Sequence, residues 1–174
     1  NLPYLRPAFM EAINNIFNLI SGPPRKVVIT THQKPDPDAM GSSLALYHFL
    51  TQFGHGVTVI SPTNWASFLN WMPGCKSVLN FEMQREECEK KMQAADWFFC
   101  LDFNTLIRTK HMAPLLARLT CVKILIDHHQ EPEETAFAYG ISDTSKSSTC
   151  EMIYDFIGES GHADKITVEM AECL

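Results

Sequence analysis

The chain has 174 residues, 20 acidic against 14 basic, with a formal net charge of −6 and a pI near 5.6. This length favours one domain with a sizeable core, and the acidic balance argues against broad electrostatic binding to long duplex DNA, which needs Lys and Arg set against many phosphates. Hydrophobic residues make up 45% of the chain, yet no stretch approaches the length of a membrane span, so no membrane partner is expected.

No basic start, apolar core and small-residue cleavage site marks a signal peptide. The chain does not begin with Met, which predicts a native N-terminus that is missing or processed. Six cysteines stand at 75, 88, 100, 121, 150 and 173, none in a Cys-x-x-Cys pair. That scatter suits free thiols in a reducing cytoplasm better than a disulfide framework.

The first predicted element is a helix over 7 to 20. Phe9, Ala12, Ile13, Ile16, Phe17 and Ile20 recur at three- and four-residue spacing and form an apolar stripe. Pro7 suits its first turn, and Ser21-Gly22-Pro23-Pro24 stops it. No chemical role is expected of it. Val27-Val28-Ile29 predicts a strand over 27 to 31. A Pro-broken loop follows, then a helix over 39 to 53 capped by Gly54. Gly41 is expected to allow close approach between that helix and the loop before it. His48 and His55 have no acidic companions and are read as surface or partly buried residues.

Val57 to Ile60 predicts a second strand, ended by Ser61-Pro62. Residues 62 to 81 read as a mixed loop. Its Trp65, Phe68, Leu69 and Trp71 suit a short packed helix better than a base-stacking platform. Residues 84 to 94 read as a charged helix, solvated on one face. Trp97 to Leu101 and Val122 to Ile126 are strand-like apolar runs, and Phe137 to Ile141 is a further candidate strand. Residues 148 to 158 read as a helix started by Ser147 or Ser148, and 163 to 174 as another. Strands alternating with helices predict a doubly wound α/β fold, a mostly parallel sheet flanked by helices.

The chemistry concentrates at strand ends. His32, Asp36 and Asp38 crowd into seven residues after the first strand. The run Trp97 to Leu101 ends in Asp102, and the run Val122 to Ile126 ends in Asp127-His128-His129. Parallel strands bring such ends together at one edge of the sheet, where ligands bind in open α/β folds. Imidazoles and carboxylates together suit a divalent cation such as Mn²⁺. Read alone, the first cluster is equally a polar loop with Asp38 as a helix N-cap. A metal site accounts for all three clusters with one cause.

These residues resemble the DHH phosphoesterase superfamily. Its first motif is similar to His32-x-x-Pro35-Asp36-x-Asp38-Ala39-x-Gly41-Ser42, its second to Asp102, its third to Asp127-His128-His129. The stretch Ser147-Ser148-Thr149-Cys150-Glu151 resembles a segment of the branch that contains the nano-RNases, which also act as phosphatases on 3′-phosphoadenosine 5′-phosphate (pAp). The resemblance covers about residues 26 to 174. It implies a strand at 96 to 102, a helix near 105 to 118 and a strand at 122 to 126.

It also implies two divalent cations, Mn²⁺ with Mg²⁺ or Co²⁺ as alternatives. His32, Asp36 and Asp102 would hold one, and Asp38, Asp102 and His128 the other, with Asp102 as the bridge. Asp127 would orient an imidazole. His129 would touch the substrate phosphate and aid proton transfer to the leaving oxygen. Arg108 is a candidate phosphate contact, with a structural ion pair as an equal alternative. Asn104 is a candidate hydrogen-bonding group near the cations. Ser147, Ser148 and Thr149 read first as an N-cap, and second as phosphate contacts through their backbone N–H groups. Asp143 is left out, because the family takes its last acidic ligand from a later strand. The expectation is therefore a catalytic domain over 1 to 174 that is cut short, with that ligand and the smaller C-terminal substrate-binding domain outside the chain.

The implied reaction is hydrolysis of very short RNA to mononucleotides, dephosphorylation of pAp, or both. Hydrolysis of a cyclic dinucleotide or its linear product is the alternative, ahead of a RecJ-type single-strand exonuclease. Inorganic pyrophosphatase is set aside for want of a basic cluster. A nucleotide-binding module that kept the metal ligands but not turnover is the non-enzyme alternative. A short RNA or nucleotide is the expected partner, and a homodimer is left open.

Overall fold

Strands buried on both faces read as continuous apolar runs, and Lys26–Thr30, Trp97–Leu101 and Val122–Asp127 come nearest to that rule in this sheet. The computed structural model describes residues 7–174, with residues 7 to 13 described in backbone alone. Its strands are β1 (Lys26–Thr30), β2 (Gly56–Ser61), β3 (Leu79–Asn80), β4 (Trp97–Leu101), β5 (Val122–Asp127) and β6 (Tyr139–Ser142). Its α-helices are α1 (Pro7–Ile20), α2 (Pro37–Thr51), α3 (Arg85–Gln93), α4 (Ala113–Arg118), α5 (Thr149–Glu159) and α6 (Val168–Cys173). The strand order is β3-β2-β1-β4-β5-β6, and every pairing is parallel.

Alternation along each strand builds two cores. Val27, Ile29, Trp97, Phe99, Leu101, Ile124 and Ile126 join one, with residues of α1, α2, α5 and α6. Val28, Phe98, Cys100 and Leu125 join the other, with residues of α3 and α4. Helices thus cover both faces, as in a doubly wound fold. β1 lies between β2 and β4, so the chain order reverses there. The carboxyl ends of β1, β4 and β5 meet at that reversal, where such sheets form a ligand crevice.

Of the α1 stripe, Ile16 and Ile20 are buried and Phe17 meets Phe156 at 5.2 Å between ring centroids; Phe9, Ala12 and Ile13 lie outside the described side chains. The loop expected over 62 to 81 holds 3₁₀ turns at Ser67–Leu69 and Cys75–Ser77 and then β3. A two-residue strand is too short to show alternation. Leu69 is buried and Trp65 packs on the core, but Phe68 and Trp71 are 65% and 62% exposed. The helix expected near 105 to 118 is split. Leu106–Met112 is a 3₁₀ segment with Lys110 at φ 56°, and α4 begins just before Pro114, whose ring suits only a first turn.

His55 is buried rather than superficial. It accepts from the Arg25 N–H at 3.1 Å and pairs with the Ile20 carbonyl at 2.7 Å, tying α1 to the start of β2. All six cysteines are free thiols. No helix among the described residues is long and apolar enough to cross a membrane.

Gly41 corrects one expectation. A Cβ there would stand 2.3 Å from the Cys173 carbonyl oxygen and 3.1 Å from Cys150 Sγ. The close approach is therefore between α2 and the end of α6, not between helix and loop. Gly41→Ala would gain about 1 kcal/mol in an exposed helix. Here it should instead lose about 1–3 kcal/mol, the range for overpacking. A thermal melt reads the sign directly: a lowered Tm is expected, and a raised one would contradict this packing.

Candidate metal centre

The loop leaving β1 sets the first residues. Pro37 fixes the first helical position of α2, so Asp36 is the N-cap and accepts the Ala39 N–H at 3.0 Å. Asp38 then falls inside the first turn, which corrects its reading as the cap. His32 Nδ1 pairs with the Gln33 carbonyl at 2.7 Å. In the neutral ring that makes Nδ1 the protonated nitrogen and leaves Nε2 its lone pair. Nε2 lies 3.4 Å from Asp102 Oδ2 and 4.0 Å from Asp36 Oδ2. Burial works against a charged His32, but hydrogen bonds to Asp102 and the Gln33 carbonyl outweigh it and raise the pKa. The acids around this ring draw positive charge, which a cation would answer equally well.

Asp102 follows β4 in a left-handed conformation, φ 63°, which Asp tolerates better than most residues. It is 2% exposed, and its N–H donates to the Ile126 carbonyl at 3.1 Å. Its two oxygens face different partners. Oδ2 faces His32. Oδ1 lies 3.4 Å from His128 Nε2 and 3.8 Å from His129 Nδ1, and accepts from Thr149 Oγ1 at 3.0 Å.

β5 delivers the third group. Asp127 is fully buried, and its Oδ1 accepts from His129 Nδ1 at 2.6 Å. Its Oδ2 is buried with no hydrogen-bond partner among the described residues. Such orphaned atoms are rare in folded proteins and mark an ion, a water or a reactive group. His128 Nε2 lies 3.7 Å from Asp38 Oδ2.

Asp38 is held from across the chain. Oδ2 accepts the Thr149 N–H and Oδ1 the Cys150 N–H, both at 2.8 Å. The first amides of α5 have no partner within their own helix and favour negative charge. The Ser148 hydroxyl caps the same helix by accepting the Glu151 N–H.

Among the described residues, two groups can each present ligand atoms within 4.8 Å of one another: His32, Asp36 and Asp102, and Asp102, His128 and His129. The first is the set expected for one cation. The second shares Asp102 and His128 with the set expected for the other, with Asp38 beside His128. Imidazole nitrogens, carboxylates and an orphaned buried oxygen fit divalent cations with N and O preferences.

The candidate contacts Arg108, Asn104 and Ser148 separate. Arg108 is half-buried, its charge acts on His32, and its carbonyl accepts the Gln33 N–H at 2.8 Å. It stands beside the His32 loop. Asn104 Nδ2 donates to the Gln130 carbonyl at 2.7 Å, so its amide braces the loop after the histidines. The Ser148 hydroxyl is engaged as the cap. Asp143 accepts from Ser145 through both hydroxyl and N–H, which holds its carboxyl below the usual range and occupies it in a local turn. Sequence reading missed Thr149 and Cys150 as partners of Asp38. Nothing local signals contacts across 111 and 112 residues.

Comparison with known proteins gives the family and the fold. An exopolyphosphatase-related protein from Bacteroides fragilis superposes with a TM-score of 0.90 at 39% identity, over 97% of this chain and 49% of its own. This chain thus spans about half the length of that protein. RecJ in complex with Mn²⁺ from Thermus thermophilus shares the fold, with a TM-score of 0.51 at 14% identity, over 92% of this chain and 22% of its own. So does Sir2Af2 bound to a myristoylated histone peptide, with a TM-score of 0.55 at 11% identity, over 87% of this chain and 99% of its own. No curated protein sequence matches the chain. Since the profile of the DHH family, N-terminal domain, matches residues 26–174, the chain belongs to the DHH family.

Proposed function

We propose that this domain carries the metal centre of an enzyme that hydrolyses phosphate esters, with very short RNA, pAp or both as its substrates. DHH family members are phosphoesterases. One observation carries the reading: Asp102 turns one oxygen to His32 and the other to His128, each at 3.4 Å. A carboxylate so placed suits a bridge between two cations at one sheet edge. Divalent cations held there would polarise phosphoryl oxygens and make water a nucleophile at neutral pH. His32, Asp36 and Asp102 would hold one, and Asp38, Asp102 and His128 the other.

The remaining residues act on substrate and proton. Asp127 accepts from His129 and so orients its ring. The far nitrogen of His129 is then the group that meets the substrate phosphate and protonates the leaving oxygen. Arg108 adds positive charge beside His32 and pairs well with phosphate oxygens. A net charge of −6 disfavours long polyanions that would lie across the whole surface. Free thiols suit work in a reducing cytoplasm.

The Bacteroides fragilis relative gives a second reading, hydrolysis at the end of an inorganic polyphosphate. A panel of two- to five-mer RNA, long single strands, pAp, a cyclic dinucleotide and polyphosphate, assayed with Mn²⁺ on the full-length protein, separates the two. Release of mononucleotides, faster from dimers than from long strands, is expected. Equal rates on long strands would favour an exonuclease, and preference for polyphosphate the second reading. Mn²⁺ binding with no hydrolysis of any of them would leave a binding module.

A further inference from the structure

We propose that Thr149 is the positioning residue of this centre, a single side chain and amide that set both carboxylates on the His128 side. The inference rests on the metal reading above. Thr149 is fully buried. Its N–H donates to Asp38 Oδ2 at 2.8 Å, and its hydroxyl donates to Asp102 Oδ1 at 3.0 Å. Asp38 comes from α2 and Asp102 from the end of β4. No other residue among the described ones hydrogen-bonds to both carboxylates.

The chemistry of the two bonds differs. The amide belongs to the first residue of α5, so it would persist with any side chain. Among the described residues, the hydroxyl is the only side-chain donor to Asp102 Oδ1 apart from the neighbouring imidazoles. Spending one lone pair of Oδ1 on Thr149 fixes the carboxylate plane and leaves the other lone pair for a cation beside His128. Oδ2, on the His32 side, is not touched by Thr149. Loss of the hydroxyl therefore acts on one cation more than the other.

Thr149→Val keeps the β-branched shape and the amide and removes the hydroxyl. With Mn²⁺ as the probe, the wild type is expected to bind two ions by calorimetry and electron paramagnetic resonance. Thr149→Val should keep one near its original affinity and weaken the other by about 10–100-fold, the usual effect of removing a residue that orients a ligand. Thr149→Ser, which restores the hydroxyl, should bind both like the wild type. Should the valine variant not fold, Thr149→Ala removes the same group and replaces it in the comparison.

A purely structural role would lower the melting temperature of the metal-free variants without separating the two ions. Unchanged binding in Thr149→Val, equal loss of both ions, or a serine variant as weak as the valine one would each overturn the assignment. A wild type that binds no Mn²⁺ would overturn the metal reading itself, and this inference with it.

Discussion

Asp102→Asn is expected to abolish binding of both cations, and hydrolysis with it, while the metal-free protein keeps its fold. Asn tolerates the left-handed backbone that Asp102 adopts at φ 63°. Its amide oxygen can still accept from Thr149. What it loses is the charge shared between His32 and His128. Removing a residue that merely orients a ligand costs about 10–100-fold in metal affinity. Removing a charge common to two cations should exceed the upper end of that range at both. Mn²⁺ calorimetry alongside circular dichroism tests this. Wild-type affinity at either position would mean that Asp102 bridges nothing.

His129→Ala should lower turnover by roughly 10²–10⁴, the range for a positioned proton donor, with both cations still bound. The geometry favours this over a ligand role. His129 Nδ1 already donates to Asp127 at 2.6 Å, so the nitrogen that lies nearest Asp102 carries a proton and has no lone pair for a cation. The side chain is 37% exposed, which leaves its other nitrogen open to an incoming phosphate. Metal content measured on the variant decides the matter: loss of a cation would make His129 a ligand instead.

His32, Asp102 and Asp127 to His129 were legible as one site because each ends an apolar run, and parallel strands must gather those ends at one edge. The start of α2 was legible too, though misassigned. Pro37 can only be an early helical residue, which makes Asp36 the cap and frees Asp38. Other features depend on contacts that no local pattern encodes. The tie between Asp38 and the start of α5 spans 111 residues. The small residue at Gly41 answers to the carbonyl of Cys173, on a different helix. β3 has two residues, and its pairing with β2 rather than its own sequence makes it a strand. The break at Lys110 lies in a segment whose composition suits a helix, and Pro114 is the only local sign that the α-helix begins late.

The sheet order has a kinetic consequence. β1 reaches β4 across 70 residues of chain, and Asp102 reaches Thr149 across 47. The unfolded chain holds His32, Asp102 and His128 far apart, so it offers a cation no assembled centre. Divalent ions should therefore bind the native protein alone and stabilise it by about 2.7 kcal/mol at a hundred times their dissociation constant. Pairings this distant in sequence slow folding, because the loop must close before the contacts form. If the centre assembles after the rate-limiting step, added Mn²⁺ will leave the refolding rate nearly unchanged and act almost wholly by slowing unfolding.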